Sequence, residues 1–173
     1  MYVTNSGFIR NLYCTDRRFQ EEVRFAMENI NRLTKGCIKF VPRTNQRDYL
    51  VITSYANKCF AAYGRYVGLG PHKVFLGPMC REQRTILHEL VHTLGFVHEQ
   101  SRTDRDRYVT ILYQNIINGI RSQFSIDHNT ITYGVPYDYE SIVHYSQYEF
   151  SMNGGPTIIT KVRIKERCIL YRM

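Results

Sequence analysis

The segment from His88 to His98, with a glycine at position 95, constrains the structure of this chain more than any other feature. On a helix, His88 and His92 share one face, with Cβ atoms about 5–6 Å apart. A continuous helix would carry His98 about 15 Å along its axis, away from the other two rings. A glycine can adopt the left-handed conformation that ends a helix and turns the chain back. The segment therefore predicts a helix that ends near Gly95 and a turn that returns His98 to the first two histidines.

Three imidazoles gathered in this way are typical ligands of zinc, and we predict a zinc site formed by His88, His92 and His98. Glu89 can point toward the open fourth position, where a general base for a zinc-bound water belongs. A structural zinc site would need a fourth protein ligand, often a cysteine, and none lies at useful spacing. The remaining alternative, ordinary core or surface residues, is disfavoured because this five-residue pattern rarely arises by chance.

Composition excludes several classes of protein. The chain of 173 residues is 43% hydrophobic and 22% charged, which indicates one globular domain. It has no apolar run near the ~20 residues of a membrane span, and its first twenty residues do not resemble a signal peptide. A net charge of +8 is compatible with nucleic-acid binding. However, residues 161–173 alone carry five basic residues and one acidic residue, which is half of that net charge. Acids also alternate with bases between Arg102 and Arg107, which favours a salt-bridged loop, so we expect no nucleic-acid partner.

Hydrophobic periodicity predicts an α+β protein. Residues 16–34 form an amphipathic helix with Asp16 as its cap and one apolar face, comprising Phe19, Val23, Ala26, Met27, Ile30 and Leu33. Strands are predicted at 37–41, 49–53 and 73–76, a second helix at 81–94 and a short helix near 114–124. Residues 99–160 contain few periodic apolar runs, so we expect that segment to have little core of its own.

Residues 88–109 resemble the astacin family of zinc metalloendopeptidases, within the metzincin clan. Segments 37–44, 113–115, 137–145 and 150–158 are also similar to that family, and the resemblance covers about residues 8–160. It implies a zincin-type fold in which an N-terminal twisted sheet with two long helices is followed by a mostly irregular C-terminal part, with a cleft between them. We expect one peptidase domain over 1–173. Residues 1–98 would be an N-terminal subdomain with the zinc-binding helix, and 99–173 a C-terminal subdomain truncated relative to the family.

The resemblance implies roles for the residues of the centre. The three zinc ligands fall on His88, His92 and His98, and the general base falls on Glu89. Tyr145 matches a tyrosine that acts as a displaceable ligand and stabilises the transition-state oxyanion, a role open to a phenol. Packing of its ring alone is the alternative for Tyr145.

Three further positions near this centre have expected roles. Val143 stands where the family has a methionine beneath the metal, and we expect it to keep an apolar floor. His144 is more consistent with a structural role than with metal ligation. Glu99 matches the family residue that contacts a buried amino terminus, and a solvated surface charge is the alternative.

The resemblance also implies disulfides. Cys59 and Cys80 match one pair, whose loop of about 20 residues is worth roughly 3 kcal/mol. Cys37 matches half of a second pair, for which Cys168 is the available partner, while Cys14 has no counterpart.

The implied function is hydrolysis of peptide bonds in extracellular proteins by a secreted zinc endopeptidase that holds one zinc per chain. The polypeptide substrate would lie extended along an edge strand near Lys73–Leu76. The expected signal peptide and prodomain are not in this chain. The alternative is a zinc-binding but catalytically weak or inactive truncated paralogue that acts as a binding protein.

Overall fold

The computed structural model describes residues 6–7, 16–54 and 56–161, and the chain divides into two compact units, Met1–Phe96 and Val97–Met173. Helices and short sheets both occur, which confirms the predicted α+β class. None of the helices within the described ranges is long and apolar enough to cross a bilayer.

The first unit contains a small mixed sheet and two α-helices. Its elements are β1 (Ser6–Gly7), α1 (Arg17–Leu33), β2 (Lys39–Phe40), β3 (Tyr49–Thr53), β4 (Cys59–Ala61), β5 (Pro71–Leu76) and α2 (Gln83–Thr93). β1 pairs with β2 in parallel, while the other strands form a three-stranded sheet in the order β3-β5-β4. β3 runs parallel to β5, and β4 runs antiparallel to it.

The strand order corrects one expectation from the sequence. Residues Lys73–Leu76 belong to β5, which lies at the centre of the sheet and is hydrogen-bonded on both sides. The edges are instead β3 and β4, and β4, Cys59–Ala61, contacts helix α2. Strand order depends on pairing between distant segments, and periodicity within one segment does not report it.

Helix α1 forms as its sequence predicts. Asp16 caps it by accepting the backbone N–H of Arg18 at 3.0 Å, and Gly36 follows its end at φ 77°. The predicted apolar face is buried at Phe19, Val23, Ala26, Met27 and Ile30. Leu33 is the exception, since it is 69% exposed at the last turn.

The core of the first unit joins both helices to the sheet. Buried side chains from α1, β3, β5 and α2 form one cluster, which includes Val23, Ile52, Val74, Ile86 and Leu90. The Cys59–Cys80 disulfide links β4 to the short 3₁₀ turn that precedes α2, with a Cα–Cα distance of 5.6 Å, as the resemblance implies. Cys37 is exposed and has no disulfide partner within the described ranges, and the proposed partner Cys168, like Cys14, lies outside them.

The second unit is built mainly from 3₁₀ turns. These are Glu99–Ser101, Arg105–Arg107, Tyr113–Asn115 and Arg121–Phe124, and the unit also has an antiparallel pair of strands, β6 (Val109–Ile111) and β7 (Ile158–Thr160). The helix predicted over 114–124 is wrong. A turn closed by the backbone bond from Ile120 to Ile117 separates two 3₁₀ pieces, and Gly119 has a φ of 87° within it.

A hydrophobic cluster in the second unit contradicts the expectation of little core. It contains Val109, Ile116, Phe124, Tyr137 and Ile158, all buried. Several members come from loops, so their burial leaves no periodic pattern in the sequence. Aromatic side chains contribute to it, including Tyr137, which stacks on Tyr108 at 4.7 Å between ring centroids.

The charged run after His98 forms the predicted salt-bridged loop. Arg102 donates to Glu99 at 2.9 Å and to both oxygens of Asp104 at 2.9 and 3.0 Å. Glu99 also accepts the backbone N–H of Asp138 at 2.8 Å. Glu99 is therefore not a solvated surface charge. Its implied contact with the amino terminus falls on residues outside the described ranges.

Candidate metal centre

Helix α2 places His88 and His92 on one face, as their four-residue spacing predicts. Their Nε2 atoms lie 2.9 Å apart, and their ring planes are nearly perpendicular, at 87°. Ile86 and Leu90 are fully buried and belong to the core cluster. The helix therefore buries an apolar side in the first unit and presents two imidazole nitrogens together.

The helix ends where the sequence predicts. Its last residue is Thr93, and Gly95 has a φ of 98° while donating its backbone N–H to the carbonyl of His92 at 2.9 Å. The left-handed conformation at Gly95 turns the chain before His98. The ligand atoms of His88, His92 and His98 all lie within 4.8 Å of one another. This confirms the predicted histidine group.

The second ring nitrogen of His92 fixes its tautomer. Nδ1 lies 2.7 Å from the backbone oxygen of Phe96. A carbonyl oxygen only accepts, so Nδ1 carries the proton and Nε2 keeps its lone pair for a metal. The pKa of His92 is lowered to about 4, mainly by burial; the hydrogen bond to Phe96 opposes this, and the charge of His88 adds a smaller lowering. The ring is therefore neutral, as a metal ligand must be.

Glu89 is buried beside this histidine group, with 4% of its surface exposed. Burial raises the pKa of its carboxyl group to about 7, against a smaller lowering by the backbone hydrogen bond from Ala61 in β4. Its Oε2 atom is buried and has no hydrogen-bond partner within the described ranges. Burying an unpaired carboxylate oxygen is costly, so the geometry suits a group that exchanges hydrogen bonds with a bound molecule.

The donor set fits zinc. Three imidazoles from helix α2 and the turn that follows it are a common zinc ligand set, and Glu89 next to His88 has one carboxylate oxygen without a hydrogen-bond partner in the described residues. No cysteine or carboxylate joins the histidine group in the described part of the chain, which leaves coordination positions for water or substrate. His88, His92 and His98 are positioned to bind one zinc ion.

In the second unit, Tyr145 packs against His98. The two ring centroids are 4.5 Å apart, and the ring of Tyr145 also contacts that of Phe124 at 5.4 Å between centroids. Val143 is buried, with 3% of its surface exposed, as expected for an apolar floor. His144 does not belong to the metal-binding group.

The sequence does not predict the contacts of two further residues, Gln100 and Ala61. Gln100 is fully buried and accepts the backbone N–H of Tyr145 at 3.1 Å. Ala61 contributes only its backbone N–H, which leaves no side-chain signal to detect. The sequence offers one signal for Gln100, since it is an uncharged amide two positions after the third histidine, between Glu99 and Ser101.

Comparison with known proteins gives consistent results. Residues 11–172 match the profile of the peptidase family described as Astacin. The chain is 46% identical over 132 residues to zinc metalloproteinase nas-7 of Caenorhabditis elegans, covering 75% of this chain and 34% of that protein. It is 39% identical over 163 residues to the astacin-like metalloendopeptidase of Gallus gallus, covering 92% of this chain and 39% of that protein. Among solved structures it is similar to high choriolytic enzyme 1, a hatching enzyme zinc-protease from the medaka Oryzias latipes. The TM-score there is 0.79 at 36% identity, covering 88% of this chain and 74% of the other.

The chain spans between a third and two fifths of the length of these two curated relatives. The family profile nevertheless extends over most of the chain and includes the whole histidine group. The helix, the glycine turn and the buried glutamate agree with that assignment. The chain therefore belongs to the astacin family of peptidases.

Proposed function

We propose that this chain is a zinc-dependent endopeptidase that hydrolyses peptide bonds in extracellular proteins, and that residues 1–173 form one peptidase domain. The observation that carries the proposal is the unpaired buried oxygen of Glu89 next to the histidine group of α2. A structural metal site has no use for such an oxygen, whereas hydrolysis requires a base at that place.

His88, His92 and His98 hold the metal in this proposal. When bound, zinc supplies a Lewis acid that polarises the scissile carbonyl and makes water a stronger nucleophile. The bond from His92 to the Phe96 carbonyl orients the ring and keeps its Nε2 lone pair available.

Glu89 transfers the proton in this proposal. Its carboxylate removes a proton from the attacking water and then delivers it to the nitrogen of the leaving amine. The backbone N–H of Ala61 donates a hydrogen bond to the carboxylate of Glu89. The other oxygen, Oε2, has no partner within the described ranges and is thus available to the water.

Tyr145 stabilises the oxyanion that forms when water adds to the carbonyl. A phenolic O–H is a hydrogen-bond donor, and a donor aimed at developing charge lowers the barrier to acyl transfer. The contact between its ring and His98 supports this role.

The substrate lies extended along β4. This strand is one of the two edges of the three-stranded sheet, and it pairs only with β5 within the described ranges. Ala61 lies in β4 and donates to Glu89, so a peptide paired with this edge would pass close to the base.

We propose a secreted location for the protein. The Cys59–Cys80 disulfide supports it, since such bonds persist in oxidising compartments and are rare in the cytosol.

Turnover of an internally quenched peptide by the purified chain tests the proposed function. We expect cleavage within the peptide, loss of cleavage when a chelator removes zinc, and recovery when zinc is returned. A folded chain that contains zinc and leaves the peptide intact would contradict the proposal and favour a zinc-binding protein without peptidase activity.

A further inference from the structure

We infer that Gln100 and His144 are positioning residues that hold the backbone of Tyr145 beside His98. This inference rests on the proposed function, because it assigns their effect on catalysis to the phenol of Tyr145. All four residues belong to the second unit.

Gln100 holds the N–H side of Tyr145. Its Oε1 accepts that N–H at 3.1 Å, and its own backbone oxygen accepts a hydrogen bond from Arg105 at 2.9 Å. Arg105 is buried and also donates to the carbonyl of Phe124 at 2.7 Å. The backbone of Gln100 is therefore held by Arg105, while its side chain is hydrogen-bonded to Tyr145.

A second bond joins the same two segments. The backbone N–H of Glu99 donates to the carbonyl of Val143 at 3.2 Å. The short turn that follows His98 is thereby connected at two points to the segment containing Tyr145.

Burying the side chain of Gln100 at this position costs stability. It is fully buried, and its Nε2 has no hydrogen-bond partner in the described part of the chain. A buried amide nitrogen without a partner costs stability, and an apolar side chain of similar size avoids that cost. The structure therefore indicates a role for the acceptor Oε1 beyond filling the core.

His144 holds the C=O side of Tyr145. Its Nδ1 lies 2.6 Å from the Tyr145 oxygen, which only accepts, so Nδ1 carries the proton. Nε2 then accepts from the hydroxyl of Tyr137 at 2.7 Å. Tyr137 is buried in the core of the second unit, so this pair connects the Tyr145 carbonyl to that core.

The backbone N–H and C=O groups of Tyr145 are thus both hydrogen-bonded. Its ring meets His98, Phe124 and Phe150 in tilted or edge contacts at 4.5, 5.4 and 5.5 Å between centroids. With the backbone held, any movement of the phenol takes place by rotation about its own side-chain bonds. Gln100 and His144 thereby keep the phenol of Tyr145 close to His98.

Kinetics of Gln100→Met, alone and combined with Tyr145→Phe, test whether Gln100 acts through the phenol. Methionine keeps the volume and removes the acceptor. We expect kcat of the single variant to fall about 10-fold or more with little change in KM, since small displacements of catalytic groups are costly. In the Tyr145→Phe background the same change should have no further effect on kcat.

The matched control is Ser101→Ala, in the same 3₁₀ turn as Gln100. Its hydroxyl makes no hydrogen bond within the described residues, so kcat should stay within about 2-fold of the unmodified chain. His144→Phe supplies a second test at the carbonyl side and should show the same dependence on Tyr145. Tyr137→Phe leaves the bond from His144 to Tyr145 in place and should have a smaller effect.

Amide hydrogen exchange tests the hold on the backbone independently of activity. The Tyr145 amide should be protected in the zinc-loaded chain, exchange at least about 10-fold faster in Gln100→Met, and remain protected in Ser101→Ala. Unchanged exchange in a folded Gln100→Met protein would overturn the inference. If that variant does not fold, the His144→Phe variant and its double mutant decide the question.

The outcomes separate the two proposals. If Gln100→Met lowers kcat by the same factor with and without the Tyr145 phenol, the inference is overturned while the peptidase function stands. If the zinc-loaded chain cleaves no peptide, the proposed function is overturned together with the catalytic part of this inference. In that case, selective loss of Tyr145 amide protection still supports the backbone hold.

Discussion

His92 donates its Nδ1–H to the backbone oxygen of Phe96 across 2.7 Å, and Gly95, with a φ of 98°, lies in the turn between them. The same turn brings His98 to the other two histidines. One backbone conformation thus provides the third ligand and the hydrogen bond that orients the second.

Gly95→Ala should therefore weaken zinc binding. A side chain at this φ costs about 1–2 kcal/mol, and displacing the Phe96 carbonyl removes an outer partner of a ligand, which typically lowers metal affinity 10–100-fold. Competition titration with a zinc chelator measures the change. Gly119→Ala is the matched control, since Gly119 has a φ of 87° and nothing within 4 Å of an added Cβ. It should lose similar stability and keep the zinc affinity.

His98→Ala should remove most of the bound zinc, because two imidazoles from one helix leave the site without its third ligand. Elemental analysis after dialysis should give close to one zinc per unmodified chain and a small fraction of that in the variant. His128→Ala, at an exposed position, should keep full occupancy. Full zinc content in His98→Ala would exclude His98 as a ligand.

The structural features that sequence predicted best were those that depend on local geometry. The spacing of His88 and His92 on a helix, the turn at Gly95 and the cap at Asp16 each depend on a few neighbouring residues. Tyr145 was located by resemblance to the family, because spacing alone cannot connect it to residues nearly fifty positions earlier.

The features that the sequence did not reveal depend on distant contacts. The edge position of β4 follows from the parallel pairing of β3 with β5 across the sequence. The core of the second unit joins Phe124, from a short 3₁₀ turn, to Tyr137, from a loop, and burial in such segments has no regular period. The roles of Gln100 and Ala61 depend on one hydrogen bond each to a partner far along the chain.

Asp48 should make the stability of the first unit depend on pH in the acidic range. It accepts the backbone N–H groups of Gly68 at 2.8 Å and Gly70 at 3.1 Å, and these bonds, with a smaller effect from Arg65, lower its pKa. A carboxyl group with a lowered folded-state pKa stabilises the fold above its unfolded pKa of about 3.9, and this contribution is lost as the pH falls through the folded value.

Asp48→Asn should therefore lower the melting temperature at pH 7, and the difference from the unmodified chain should shrink as the pH falls below about 4. Thermal unfolding of both proteins across that pH range measures the difference. Glu140→Gln, which removes a charge from an exposed position, serves as the control for net charge. A melting-temperature difference between Asp48→Asn and the unmodified chain that does not change with pH would contradict the assigned role of the carboxylate.

Tyr145→Phe should lower kcat with little change in KM, because the hydroxyl is proposed to contact only the transition state. The ring contacts with His98 and Phe124 are retained by phenylalanine, so folding and zinc content should be preserved. Steady-state kinetics on the quenched peptide separate the two parameters. A raised KM with unchanged kcat would assign Tyr145 to substrate binding.

Glu89→Gln tests whether Glu89 is the general base, since it changes one carboxylate oxygen to an amide nitrogen beside an unchanged histidine group. The measurement is kcat for the quenched peptide at equal, verified zinc content. We expect kcat to fall at least ~10²-fold, the scale of a lost general base, with zinc retained. Turnover equal to that of the unmodified chain at full zinc occupancy would contradict the proposal that Glu89 transfers the proton.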